Sequence, residues 1–147
     1  ERLAQAAIFA PDIIVNSALD NVHECVMRAT GGQGANVVIT ACSVPDVQAQ
    51  ALELLAPYGR VCLFGGLPKG GSQVVLDTNL IHYKNLVVTG MTGGAPRDFR
   101  TAMTLAASKR IDVAKIISHT FLTADLERAF DTALNRPAMK IVIQPER

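Results

Sequence analysis

Three apolar stretches of this chain run out into small residues, at Thr40-Ala41-Cys42-Ser43, Phe64-Gly65-Gly66 and Gly90-Met91-Thr92-Gly93-Gly94. Ligands of an open parallel sheet sit at the carboxyl ends of its strands. Glycine at such an end marks either a sharp turn or a place where a ligand approaches the backbone. The chemistry open to these positions is therefore the binding of a ligand through backbone groups. No complete catalytic constellation accompanies them.

Other chemical readings fail on spacing. His23, His82 and His119 are scattered, and no Glu or Cys stands at metal-ligand distance in sequence from any of them. Cys42 at a strand end would be a reactive thiol only beside a cation, and the sequence supplies none. Gly31-Gly32-Gln33-Gly34 precedes a strand instead of opening a helix, so it cannot place helix N-terminal N–H groups on a pyrophosphate. Between Gly65 and Ser72, Lys69 comes before Gly70-Gly71, the wrong order for a Walker phosphate loop. Both are expected to be turns. The three cysteines, Cys25, Cys42 and Cys62, lack CxxC spacing and are expected to be reduced, buried thiols.

The elements that must carry these ends are legible from hydrophobic pattern. Asn36–Cys42, Arg60–Gly66 and Asn85–Met91 are apolar runs without polar alternation, as strands buried on both faces require, and a shorter run, Asp12–Asn16, precedes them. Val47, Ala51, Leu54 and Leu55 make a helical stripe, with Pro45 in its first turn, Ser43 as a candidate cap and Pro57-Tyr58-Gly59 as its stop. Val22, Val26 and Ala29 mark an earlier helix that ends at Gly31-Gly32. Alternating strands and helices predict a parallel α/β sheet. Beyond Gly94 the pattern changes. Phe99, Ala102, Met103 and Ala106 form one helical stripe, and Leu126, Ala129, Phe130, Ala133 and Leu134 form another, for which Thr123 is the candidate cap. Ile116–Phe121 and Lys140–Ile143 are β-like. A boundary is expected near Gly93-Gly94.

Bulk properties narrow the function classes. At 147 residues, 49% hydrophobic and 18% charged, the chain is too apolar to be disordered. A net charge of +1 offers no field for a polyanion, so nucleic acid is not an expected partner. No apolar run is long enough to cross a bilayer, and a cytoplasmic location is expected. The chain begins Glu1-Arg2-Leu3-Ala4-Gln5-Ala6-Ala7, without Met and already in helix-like sequence, which reads as a cut end.

The order and spacing of several landmarks resemble the zinc-type medium-chain dehydrogenases, especially their sorbitol and threonine dehydrogenase branch. These are Thr30-Gly31-Gly32-Gln33-Gly34-Ala35-Asn36-Val37-Val38, Ala51-Leu52-Glu53-Leu54-Leu55 through Gly59-Arg60-Val61, Ile81-His82-Tyr83-Lys84-Asn85-Leu86, Gly93-Gly94 with Asp98-Phe99, and Lys140-Ile141-Val142-Ile143. The resemblance implies an α/β fold made of an incomplete Rossmann-type parallel sheet plus a C-terminal segment of the family's catalytic domain. Residues 1–93 would be a partial nucleotide-binding domain, and 94–147 the segment that returns to the catalytic domain. It implies cofactor contacts at Arg2 on the adenosine side, at Phe64, Gly65 and Gly66 on the nicotinamide side, and at Met91, Thr92 and Gly93 at the next strand end. NAD is the cofactor implied by the branch, with NADP left open, and zinc would be held by ligands outside this chain. The implied reaction is hydride transfer between a secondary alcohol or sugar alcohol and the cofactor, the chain alone being inactive. The implied partner is a second copy, through the strand ending at Gly90-Met91. A non-catalytic α/β association module is the alternative. Thr40 stands where many members of the family have Glu, and Gly93-Gly94 replaces an Arg-Tyr pair that animal sorbitol dehydrogenases use for substrate.

Overall fold

The computed structural model describes residues 2–146; Glu1 and Arg147 lie outside them. The chain divides into two compact units, Val15–Gly93 on one hand, and residues 1–14 together with 94–147 on the other. The mixed α/β class expected from the sequence is the one observed, with parallel pairing in both units.

In chain order the elements are α1 (Arg2–Ala7), α2 (Val22–Ala29), β1 (Ala35–Thr40), α3 (Pro45–Glu53), β2 (Leu55–Leu63), α4 (Thr78–Lys84), β3 (Val87–Gly90), α5 (Pro96–Ala107), β4 (Ile117–Leu122), α6 (Leu126–Asn135) and β5 (Lys140–Gln144).

The first unit is a three-stranded parallel sheet in the order β1-β2-β3, with Val38 opposite Val61 and Val61 opposite Val88. A tight connection between neighbouring parallel strands needs a crossover helix, and α3 and α4 supply the two crossovers. The core forms where α3 meets the sheet. Ala51, Leu52, Leu55, Val61 and Leu86 are buried, and Val38, Leu63, Leu76, Leu80 and Ile81 pack against them. Full burial of Leu52, Leu55 and Val61 contributes about 1.5–3 kcal/mol for each side chain. The buried face of α3 carries Gln48, Ala51 and Leu52, followed by Leu55 at its end. That face is rotated by one position from the stripe read off the sequence, and Val47 is exposed.

Several local details depart from expectation. Pro45 does open α3, but its N-cap is Val44 and makes no side-chain bond, so Ser43 does not cap it. Pro57-Tyr58-Gly59 lies within β2 as an irregular stretch, because the pairing of β1 with β2 jumps from Ala35↔Leu55 to Val37↔Arg60. Asp12–Asn16 joins no sheet. The element α4 had no counterpart in the hydrophobic pattern. It is fixed by local chemistry, with Asp77 accepting from the Asn79 N–H at 2.9 Å and Asn85 closing it in the left-handed region at φ 53°.

Burial on both faces of the strands was also expected, but on β1 only one face is covered and on β3 every residue is exposed. Val37 is 53% exposed and Ile39 61%. Side chains alternate across a strand, so these two project opposite to Val38 and Thr40, which face α3 and the core. The outer edges of β1 and β3 have no strand partner among the described residues.

The second unit pairs β4 with β5 in parallel, α6 forming the crossover. Ser118 Oγ ties the pair together, donating to the Lys140 carbonyl at 3.2 Å and accepting from the Met139 N–H at 3.1 Å. Thr123 belongs to a 3-10 turn, Thr123–Asp125, and its hydroxyl reaches the Gln144 carbonyl at 3.4 Å. It is not the cap of α6, whose N-cap is Asp125. On α6 only Ala129 and Thr132 are buried, while Phe130 and Leu134 of the expected stripe are exposed.

The turn Gly31–Gly34 is structural. Gly34 has φ +85°, and a Cβ there would lie 2.8 Å from the Ala56 nitrogen and 2.9 Å from the Leu54 oxygen. Gly34→Ala is therefore expected to cost about 3 kcal/mol or more, from positive-φ strain together with backbone displacement where β1 starts against β2. Urea unfolding of the two forms checks this, and a loss under about 1 kcal/mol would contradict it.

Candidate functional site

The first unit places the ends of β1, β2 and β3 side by side, because all three strands run in the same direction. Beyond the last paired residues the ends remain tied. The Gly65 N–H donates to the Thr40 carbonyl at 2.7 Å, and the Met91 N–H to the Leu63 carbonyl at 3.4 Å. Phe64–Gly66 and Met91–Gly93 thus lie on adjacent strand ends, with Phe64 and Met91 both exposed. Arg2 belongs to the other unit. There it lines a cleft of about 500 Å³ with Gln5, Ala6, Phe9, Ile116, Ala138, Met139 and Lys140.

The glycines at these ends have different causes. At Gly65 a Cβ would lie 2.5 Å from the Cys42 carbonyl oxygen and 2.7 Å from its nitrogen, so the close approach of β1 requires glycine there. Gly93 has φ +63° and serves a turn. Gly66 has neither reason, since its φ is not positive and a Cβ would meet nothing within 4 Å. Its N–H has no protein partner among the described residues. Gly66 is an open backbone donor at the end of β2.

Behind it lies a polar residue that pattern reading passed over. Gln48 is 8% exposed, and its Nε2 donates to the Gly65 carbonyl at 3.0 Å. Its signal in the sequence was available, because Gln48, Ala51, Leu52 and Leu55 stand at i, i+3, i+4 and i+7. Gln48 also lines a recess of about 180 Å³ with Leu52, Val61, Leu63, Ser72, Val74, Leu76 and Val88.

The cysteines are less buried than expected, Cys42 being exposed and Cys25 and Cys62 half-buried. Cys42 lies beyond the last residue of β1, where α3 no longer covers the chain. The histidines are on separate elements. His82 meets Tyr83 edge-on at 4.8 Å, and His119 stacks with Phe121 at 6.2 Å. Among the described residues no three His, Cys, Asp or Glu side chains gather as a metal site.

The zinc-binding dehydrogenase family model matches residues 1–108. The chain belongs to the zinc-binding dehydrogenase family. It is 31% identical over 139 residues to L-threonine 3-dehydrogenase of Thermococcus kodakarensis, an alignment covering 92% of this chain and 39% of that protein. Among solved structures, alcohol dehydrogenase TADH from Thermus sp. ATN1 superposes with a TM-score of 0.90 at 22% identity, covering 99% of this chain and 41% of that one. A short chain alcohol dehydrogenase from E. coli CFT073, solved in complex with cofactor NADH, gives 0.82 at 22% identity, covering 97% and 41%. These structures share the fold. The chain spans about two-fifths of the length of the relatives it matches.

Thr40 is 3% exposed and has no hydrogen-bond partner for its Oγ1 among the described residues. A buried hydroxyl left unpaired costs on the order of 1–3 kcal/mol. Thr40→Val removes the hydroxyl and keeps the branched shape, so it is expected to raise stability by about 1 kcal/mol in denaturant unfolding. A clear loss of stability would mean that the hydroxyl is satisfied.

Proposed function

We propose that this chain is part of a dehydrogenase that transfers a hydride between a secondary alcohol or sugar alcohol and a nicotinamide cofactor. The observation that carries the proposal is the pair of adjacent strand ends, Phe64–Gly66 and Met91–Gly93, where Phe64 and Met91 are exposed and the Gly66 N–H has no protein partner among the described residues. Family membership and the NADH-bound structural relative support it. The stretch up to Gly93 is read as the later part of the nucleotide-binding domain and the residues from Gly94 onward as a segment of the catalytic domain. The exception within that stretch is helix α1, which carries Arg2 and groups by contact with the residues after Gly93.

The described residues fit a nicotinamide at the strand ends. There Phe64 and Met91 offer apolar contact, and Gly66 offers a donor to a neutral oxygen. The cofactor, when bound, accepts or delivers the hydride. NAD is preferred to NADP by the sequence branch. Arg2 is proposed for the adenosine half, since it lines a cleft with Gln5 and Lys140 among mostly apolar residues. A catalytic zinc does not fit the described residues, which bring no ligand set together, and no step is assigned to it.

Only part of such a site is held by this chain, so alone it is expected to reduce no NAD with alcohol and to bind NADH more weakly than micromolar. Titration calorimetry and amide shift mapping test this together. The expected shifts fall at Phe64–Gly66 and Met91–Gly93. Micromolar affinity would overturn the incompleteness, and shifts confined elsewhere would overturn the site.

A second reading, an α/β association module, is favoured by exposed surface. The chain exposes 11220 Å², whereas two separately folded units of these sizes would expose about 8,700 Å² together. Unpaired edges at β1 and β3 add hydrogen-bonding demand. Self-association through β3, where Val87 and Val88 are exposed, is the expected outcome. Sedimentation velocity checks it, and a stable monomer at all concentrations would exclude it.

A further inference from the structure

We infer that Gln48 is a positioning residue that decides whether the end of β2 presents a hydrogen-bond donor or an acceptor to its ligand. The inference rests on the cofactor reading above for the ligand, and on the structure alone for the mechanism. The peptide joining Gly65 to Gly66 is trans, so its C=O and N–H point in opposite directions. Gln48 Nε2 holds the Gly65 C=O at 3.0 Å. The Gly66 N–H must then point away from Gln48, where it meets no protein acceptor among the described residues and where a Cβ on Gly66 would find open space.

This peptide plane needs an anchor, because it lies between two glycines, the residues least restricted in backbone rotation. Its start is fixed by the Gly65 N–H bond to Thr40 and by close contact with Cys42. Its far side is fixed by Gln48 alone. Rotation of the plane would turn the carbonyl outward and present an acceptor in place of the donor. Gln48 is suited to prevent this, since its side chain is buried on the inner face of α3, which fixes the direction in which its amide can donate. The amide orientation is determined by the partner, as a carbonyl accepts only from the nitrogen side. The ligand that fits carries a neutral acceptor oxygen at this point, such as a carboxamide.

The test uses the isotopically labelled chain and two substitutions. Gln48→Leu removes the donor and keeps an apolar side chain of similar length. Gln48→Glu exchanges the donor for an acceptor when ionised, and restores a donor when its carboxyl is protonated. In the wild-type chain a through-bond coupling between Gln48 Nε2 and the Gly65 carbonyl carbon is expected. In Gln48→Leu that carbon is expected to move upfield, with the Leu86 methyl resonances showing the core intact. In Gln48→Glu, burial and the facing carbonyl hold the carboxyl above its usual range, so the carbon is expected to keep its wild-type position while the carboxyl is protonated and to move upfield only as the pH rises well past the usual carboxylate range. NADH is the probe for the ligand, and is expected to move the Gly66 amide in the wild-type chain and to lose that shift in Gln48→Leu.

An unchanged Gly65 carbon in folded Gln48→Leu, or an upfield Gly65 carbon in Gln48→Glu at low pH, would overturn the inference. Should Gln48→Leu not fold, absence of the wild-type coupling overturns it equally. If the carbonyl responds as expected while NADH moves no strand-end amide in the wild-type chain, the anchoring stands and the cofactor reading fails.

Discussion

The first unit depends on how closely β1 can approach β2. At one end of this seam Gly34 lets the chain turn into β1 against the backbone of Leu54–Ala56, and at the other Gly65 lies against the backbone of Cys42. Between them the strands pair through Val37↔Arg60 to Thr40↔Leu63. Only with the seam closed does α3 find a continuous surface for Leu52, beside Leu55 and Val61. The same closure delivers the Gly65 carbonyl to Gln48. Core and candidate site are therefore two consequences of one backbone contact, and a side chain at either glycine would act on both.

The sequence made the strand ends legible for a physical reason. In a parallel sheet the apolar runs end where the ligand side begins, so Gly65-Gly66 and Thr92-Gly93 announce themselves as small residues after apolar runs. Helix facing was harder. The stripe containing Val47 and the stripe containing Gln48 differ by one residue, and apolarity favours the first, while the structure buries the second. A glutamine on the inner face violates the hydrophobic pattern because it has a specific partner 17 residues away, a partner that periodicity cannot reveal. The α4 helix escaped for a different reason, its limits being written in Asp77 and Asn85 as caps more than in any apolar stripe. Asp12–Asn16 carries a strand-like composition without joining a sheet, since a strand is defined by a hydrogen-bonded neighbour and composition supplies only half of that condition.

The exposed apolar residues follow the same logic on a larger scale. Val37 and Ile39 on β1, Phe99 and Met103 on α5, and Phe130 and Leu134 on α6 are the positions that pattern reading assigned to buried faces, and each is exposed. The amphipathic signal was correct about which face is apolar. What it does not contain is the surface that covers the face. The excess of exposed area over two compact units of the same size measures that missing cover.

The division of labour within the family's chemistry can be argued from what each kind of group requires. Metal ligation needs several side chains converging on a point, and the described residues bring no three His, Cys, Asp or Glu together. Cofactor orientation needs less. A few backbone groups held in fixed directions suffice, provided nothing lets the peptide planes turn. At the proposed site a Gly65–Gly66 peptide would supply room for a ligand at the cost of rotational freedom, and the Gln48 bond to the Gly65 carbonyl would restrict that freedom from the protein side. Room and rigidity come from different residues on different elements. Glycine at the strand end alone is therefore an incomplete sign of a binding site, and the second half of the sign is the buried polar side chain that holds the adjacent carbonyl.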